Sequence, residues 1–304
     1  RQMEMNPLLL FQNNCLGKQS VQSALQSVVQ YLGRVPRVCD VADVPRGTFP
    51  DGCDILYGTV DIEKLSGYVP AGSVPFVITD PPYNVNYEGS AGKIKNDNMA
   101  SEKFFDFLFD AFSNIEKVMA DDASIYVFHA DTEGLNFRKA FDAAGFYLSG
   151  CCIWKKQSLV LGRSPYQWQH EPCLYGWKKK GKHQWYTGRK ESTIWEFDKP
   201  RKNGDHPTMK PIPLLAYPIQ NSSKANSVVL DPFGGSGSTL IACEQTDRIC
   251  CTIELDEKFC DVIVKRYIEQ VGTDEKVGVL RDGHTLSFEE AGGSENTAQE
   301  GGQR

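Results

Sequence analysis

The chain has 304 residues, of which 40% are hydrophobic and 24% charged, and its formal net charge is −6. That length exceeds the ~100–200 residues of an ordinary domain, and no apolar run approaches the ~18–20 residues of a membrane span, so a soluble protein is expected, either one large α/β domain with an inserted lobe or two domains. The acidic balance disfavours a general nucleic-acid coat, and Arg1–Glu4 lack the basic start of a secretory signal, so a cytoplasmic setting is expected.

Residues 1–50 carry a helix-like stretch, Lys18–Leu32, which ends at Gly33 and is followed by the breakers Pro36, Pro45 and Pro50. They read as an N-terminal arm or the remnant of an upstream domain. The main domain is expected over 51–285. It begins with a short strand, Asp54–Thr59, and a clearer one, Val74–Thr79, closed by Asp80-Pro81-Pro82. Prolines cannot continue a ladder and hold an extended loop at the strand's carboxyl end, where ligands bind in a parallel sheet. Helical spacing of Phe104, Leu108, Phe112, Ile115 and Met119 predicts a helix over Ser101–Met119. A buried strand Ala123–His129, a helix Thr132–Ala144 stopped by Gly145, and a strand Phe146–Trp154 follow. Strands alternating with helices imply a doubly wound, mostly parallel, Rossmann-like α/β sheet.

A stretch over about 155–206 interrupts this rhythm. Between Trp154 and Lys210 thirteen Lys/Arg face five Asp/Glu, and all five tryptophans fall there. That mixture suits an inserted lobe contacting nucleic acid, with charge for phosphates and flat faces for bases; it equally suits a solvated lobe with a small aromatic core. The α/β pattern resumes with Ser227–Leu230, a helix Ser238–Glu244, a strand Ile249–Glu254, a helix Glu257–Gln270 and a last strand Lys276–Leu280. Residues 286–304 are expected to form a disordered tail.

The ten cysteines include the adjacent pairs Cys151-Cys152 and Cys250-Cys251 inside apolar strands. Neighbours on a strand point to opposite faces. With no C-x-x-C and no paired Cys/His spacing, they read as buried reduced thiols, and no metal site is expected.

Two segments carry chemistry. Thr79-Asp80-Pro81-Pro82-Tyr83-Asn84 follows a strand. A carboxylate beside a rigid backbone carbonyl can accept both hydrogens of an exocyclic amine and turn its delocalised lone pair toward an electrophile, while Tyr83 can stack on an extruded base. Standing alone, the tetrapeptide also reads as a proline turn. The second segment, Val228–Thr239, is strand, Gly-rich turn and helix start, and Gly235 and Gly237 would let a nucleotide-like ligand approach the backbone. The next strand ends in Glu254-Leu255-Asp256, where an acid can bind a ribose diol or cap the following helix; Asp256 suits the cap.

In order, Asp80-Pro81-Pro82-Tyr83, a basic segment, His206-Pro207-Thr208-Met209-Lys210-Pro211 and Asp231-Pro232-Phe233-Gly234-Gly235-Ser236-Gly237-Ser238 resemble the permuted beta group of amino-methylating DNA methyltransferases, over about residues 54–272. His129–Arg138 and Trp168–Trp177 resemble phage and prophage adenine methylases. The resemblance implies S-adenosylmethionine as cofactor, double-stranded DNA as partner, and direct transfer of the methyl to a flipped adenine, with cytosine N4 as an alternative. It implies catalytic roles for Asp80, Pro81, Pro82 and Tyr83. Cofactor contacts are implied for Asp231, Phe233, Gly235, Gly237, Glu254, His206, Thr208 and Lys210, the last at the methionine carboxylate. One departure is Thr59 after Gly58, where an Asp is usual in that group, with Asp61 two residues on. A decayed methylase that only binds DNA is the reading this departure leaves open.

Overall fold

A computed structural model describes residues 69, 71–86, 88–89, 92–93, 97–162, 164–198, 209–275, 277–281 and 284–288, with the short strands 38–40 and 55–57. In chain order these give β1 (Val38–Asp40), β2 (Ile55–Tyr57), β3 (Val74–Thr79), β4 (Glu88–Gly89), β5 (Gly92–Lys93), α1 (Ser101–Val118), β6 (Met119–Phe128), a 3-10 turn (Asp131–Glu133), α2 (Gly134–Ala143), β7 (Phe146–Val160), β8 (Trp168–Lys178), β9 (Ile194–Glu196), α3 (Ile212–Ser222), β10 (Val228–Asp231), α4 (Ser238–Gln245), β11 (Ile249–Thr252), α5 (Glu257–Val271), β12 (Gly278–Arg281) and β13 (His284–Ser287).

Seven strands form the central sheet in the order β11-β10-β3-β6-β8-β7-β9. The pairs β11/β10, β10/β3, β3/β6 and β7/β9 are parallel; only β8, flanked by β6 and β7, runs the other way. The doubly wound α/β architecture is therefore present. Period-two alternation splits each strand between two cores. Phe76, Ile78, Tyr126, Phe128, Val229 and Cys250 face α3, α4 and α5, while Val77, Ile125, Val127, Leu230 and Cys251 face α1 and α2. Both adjacent cysteine pairs straddle the sheet in this way: Cys152 packs with the first core and Cys151 against the second. Cys151, Cys152, Cys173, Cys243, Cys250, Cys251 and Cys260 are free thiols.

The structure departs from the sequence reading in three places. β7 runs six residues past Trp154 and pairs with β8, so part of the stretch expected as an inserted lobe, Trp168–Lys178, is a strand of the central sheet. Aromatic and basic residues concealed it because its buried members are only Pro172, Cys173, Leu174 and Gly176. Helix α3 was not foreseen, since Pro211, Pro213 and Pro218 punctuate it. Pro211 is its N-cap and Pro213 lies in the first turn, where no intrahelical N–H is required. The expected domain end at 285 falls inside β13, which pairs antiparallel with β12. Most of 1–50, and 289–304, lie outside the described residues. No described helix is long and apolar enough to cross a membrane, and no described group of three or more His, Cys, Asp or Glu is placed to hold a metal ion.

Tight register makes Gly176 obligatory in β8: a Cβ there would lie 2.1 Å from the Tyr147 carbonyl oxygen and 3.0 Å from the Phe141 ring. Gly176→Ala is expected to cost about 2 kcal/mol or more, because the obstruction is backbone of the paired strand. Chemical denaturation checks this; a variant as stable as the parent would contradict the register.

Candidate functional site

Asp80 leaves the carboxyl end of β3, beside the same ends of β6 and β10. The loop after it is held rigid by its neighbours. Asn84 and Asn86 take left-handed backbone angles, φ 59° and 51°, which asparagine tolerates better than most residues. Asn84 Nδ2 donates to the Met99 carbonyl at 3.1 Å, and the Met99 N–H donates back to Asn84 Oδ1 at 2.5 Å. Asp97 accepts from the Val85 N–H at 3.3 Å and from the Asn86 N–H at 2.7 Å, on carboxylate and carbonyl respectively. The Tyr83 ring meets Phe137 of α2 edge-on, centroids 6.5 Å apart. The turn is thus pinned to the approach to α1 and to α2.

Around it lies a buried cluster of charge. Lys210, 6% exposed, places Nζ 2.6 Å from Asp80 Oδ2, 3.1 Å from Glu171 Oε2 and 3.0 Å from the Tyr83 hydroxyl. Tyr83 donates to Asp80 Oδ1. Lys156 closes the far side, 2.5 Å from Glu171 Oε1. Two carboxylates and two ammonium groups balance, the condition for tolerating buried charge. Burial holds the Asp80 carboxyl above its ordinary range although Lys210 opposes it, and Glu171 adds to the rise. Burial would also raise Glu171, but Lys210 and Lys156 outweigh it and hold that carboxyl down at about 2. Lys210 is driven above its usual value, burial being overcome by Asp80 and Glu171, so it is a fixed positive charge. Burial and the Asp80 charge push Tyr83 well up, which keeps it a neutral hydrogen-bond donor.

The second element is the turn after β10. Buried Asp231 accepts from Thr79 Oγ1 at 3.0 Å, from Thr239 Oγ1 at 2.6 Å and from the Phe233 N–H at 3.2 Å, tying the turn to the residue before Asp80. Gly234 packs so tightly that a Cβ would lie 2.4 Å from Thr252 Oγ1, and Gly237, at φ +75°, would meet Ile263 at 2.6 Å. Gly235 N–H donates to Glu254 Oε2 at 2.7 Å, and the Asp256 N–H donates to Oε1 at 2.7 Å. Asp256 caps α5 by accepting from the Lys258 N–H at 3.1 Å, which leaves Glu254 turned toward the turn. Phe233 stands half-buried against Phe107, 6.0 Å between centroids.

Of the expected site residues, the structure brings Asp80, Pro81, Pro82, Tyr83 and Lys210 into one group and Asp231, Phe233, Gly235, Gly237 and Glu254 into an adjoining one. Lys210 engages Asp80 and Glu171. His206, Thr208, Thr59 and Asp61 lie outside the described residues. The basic stretch does not form one surface: Lys178 is 3.5 Å from Glu116 and 3.6 Å from Asp121, and Lys179 is 2.8 Å from Asp142, at the sheet's opposite end. Sequence reasoning missed Lys156 and Glu171 as partners of Asp80. Their pairing follows only from the β7/β8 register, which sets Trp154 opposite Glu171 and Lys155 opposite His170.

Burial lifts the Glu254 carboxyl to about 7, against backbone donors that lower it. A carboxyl raised in the folded state binds more protons there than unfolded, so its contribution to stability falls as pH rises from about 4.5 to 7. Relative to Glu254→Gln, the parent is expected to lose thermal stability over that interval; a melting difference independent of pH would contradict it.

Residues 74–265 match the family model described as N6/N4 DNA methylase. The chain is 28% identical over 242 residues to the type II methyltransferase M.HinfI of Haemophilus influenzae, covering 68% of this chain and 66% of that protein. It is 27% identical over 233 residues to the DNA adenine methyltransferase YhdJ of Escherichia coli K12, covering 65% and 77%. Among solved structures it resembles the cytosine-N4-specific PvuII DNA methyltransferase, with TM-score 0.59 and 17% identity over 70% of this chain and 85% of the other. It also resembles M1.HpyAVI in complex with SAM, with TM-score 0.52 and 23% identity over 64% of this chain and 89% of the other. The family match spans more than half of the chain and contains both halves of the site; the chain belongs to the N6/N4 DNA methylase family.

Proposed function

We propose that this chain is a site-specific DNA methyltransferase of the permuted beta arrangement, which transfers a methyl group from S-adenosylmethionine to N6 of an adenine flipped out of duplex DNA. The observation that carries this reading is the placement of Asp80 and Tyr83 at the carboxyl end of β3, next to the Gly-rich turn of β10, its neighbour in the sheet though 149 positions of chain separate Thr79 from Val228. The order, catalytic half first, supports the permuted arrangement.

The residues around the turn fit the cofactor. Glu254 has spare lone pairs for a ribose diol, Gly234 and Gly237 let the turn close tightly on Thr252 and Ile263, and Phe233 offers an apolar face for a purine. Asp231 acts through the turn, holding its shape. When bound, S-adenosylmethionine supplies a methyl group on a positively charged sulfur. Asp80 and the Pro81 carbonyl accept the two amine hydrogens, so the nitrogen lone pair points at that methyl. Tyr83 stacks on the base and Pro82 stiffens the loop. As the nitrogen gains carbon, it sheds a proton toward Asp80, whose ionised form Lys210 favours. Lys210 acts here by charge on Asp80, although the resemblance assigns it to the cofactor.

A carbon-methylating route would need a cysteine thiolate. Burial pushes Cys152 up to about 12 and Cys173 well above its ordinary value, which suits neither to that task.

Asp80→Ala is expected to lower single-turnover methylation by about a thousandfold or more, since both the amine acceptor and the proton sink are lost. Calorimetry should show S-adenosylmethionine binding little changed. Nucleoside digests of DNA treated with the parent chain should contain N6-methyladenine. A digest with only N4-methylcytosine would overturn the choice of base, and absence of cofactor binding by the parent would overturn the enzyme reading.

A further inference from the structure

The β7/β8 pair does not end at the level of the site. Past Glu171 the hairpin continues to Val160 opposite Trp168, three more residues and so roughly 10 Å beyond the carboxylate at ~3.3 Å per residue, and then turns. The turn is organised by its own polar groups: Gln167 Oε1 accepts from the Gly162 N–H at 2.6 Å, and Gln167 Nε2 donates to the Ser164 carbonyl. Lower down, Gln169 Nε2 donates to the Lys156 carbonyl at 3.0 Å, bracing the two strands. Among its described residues this finger exposes several large apolar side chains. Leu161 is 87% exposed and Tyr166 90%, with Leu159, Val160 and Trp168 each about half exposed. Five of the eleven large hydrophobics exposed among the described residues lie within these ten positions. Large apolar side chains gathered on an exposed turn mark a contact with a partner.

The hairpin's base identifies that partner. Its strands carry Glu171, which pairs with Lys210 beside Asp80, and Lys156, which pairs with Glu171, so the finger stands at the catalytic end of the sheet and is fixed relative to Asp80. Any duplex that delivers a base to Asp80 lies across that edge. Extruding a base leaves a gap in the stack, and apolar or aromatic side chains that wedge between base steps fill such gaps.

We infer that Leu161 and Tyr166 form a wedge that enters duplex DNA at the target position and occupies the space vacated by the flipped base. This rests on the DNA methyltransferase reading and adds to it the group that stabilises extrusion. Because both side chains are exposed and away from the cores, Leu161→Ser/Tyr166→Ser is expected to fold like the parent, and its melting curve checks that.

The experiment compares two short duplexes built on a site mapped with the parent chain, one fully paired and one with an abasic position opposite the target base, which is already loosened. The double variant should lose about tenfold or more in kcat/KM on the paired duplex and stay within about threefold of the parent on the abasic one. Leu161→Met/Tyr166→Phe, which keeps the apolar wedge, should retain parent activity on both. Equal losses on the two duplexes would mean a plain docking contact and overturn the wedge, as would no loss on either. If the parent methylates no DNA at all, the methyltransferase reading itself fails, a result distinct from the others.

Discussion

The ion pair between Lys210 and Asp80 is the constraint on which the arrangement depends. A buried carboxylate at the end of β3 is costly, and burial alone drives it toward its neutral form. Lys210 opposes this from 2.6 Å, and it can be buried itself because Glu171 takes part of its charge and Lys156 balances Glu171. Removing one member leaves an uncompensated charge inside the protein, which typically costs about 3–5 kcal/mol. The cluster therefore couples four chain segments: the turn after β3, both strands of the β7/β8 hairpin, and the residue ahead of α3.

This coupling explains why a hairpin and a helix remote in sequence serve one turn. The hairpin supplies Lys156 and Glu171 and, by the same rigidity, positions its exposed tip. Helix α3 starts at Pro211, its N-cap, and so fixes where Lys210 emerges. On the other side, Asp231 ties Thr79 to the Gly-rich turn through two hydroxyls, so the catalytic and cofactor halves share a single backbone junction. Bulk water is kept from Lys210 by Phe128 and Tyr83, whose rings lie 5.0 and 5.3 Å from its Nζ.

Much of this was legible in the sequence wherever the signal is local. β3, α1, α2, α4, β11 and α5 follow from apolar period and from stops such as Gly145, which takes a left-handed φ of 99° after α2. The two chemical segments were legible because their residue types are rare in combination. What escaped depends on distant contacts. β8 is masked by its aromatic and polar side chains, and α3 by its prolines, of which Pro211 and Pro213 sit at the helix start and Pro218 lies inside it. The basic stretch looked like one surface, yet antiparallel β8 carries Lys178 away from Glu171 to the far end of the sheet. The ion pair of Lys210 with Asp80, 130 residues earlier, was not legible because its neighbours in sequence say nothing of that contact.

Central to the site is the opposition of Lys210 to the rise that burial imposes on Asp80, which favours the ionised form that accepts the amine hydrogens. Its most direct test is the pH dependence of single-turnover methylation by the parent and by Lys210→Met/Glu171→Gln, the second change sparing the variant an unpaired carboxylate. Lys210 lowers the Asp80 value more than Glu171 raises it, so removing both leaves a net rise. The acid limb of the variant's profile is expected at higher pH than the parent's, with activity recovering as pH increases. An acid limb at the same pH in both proteins would contradict the account.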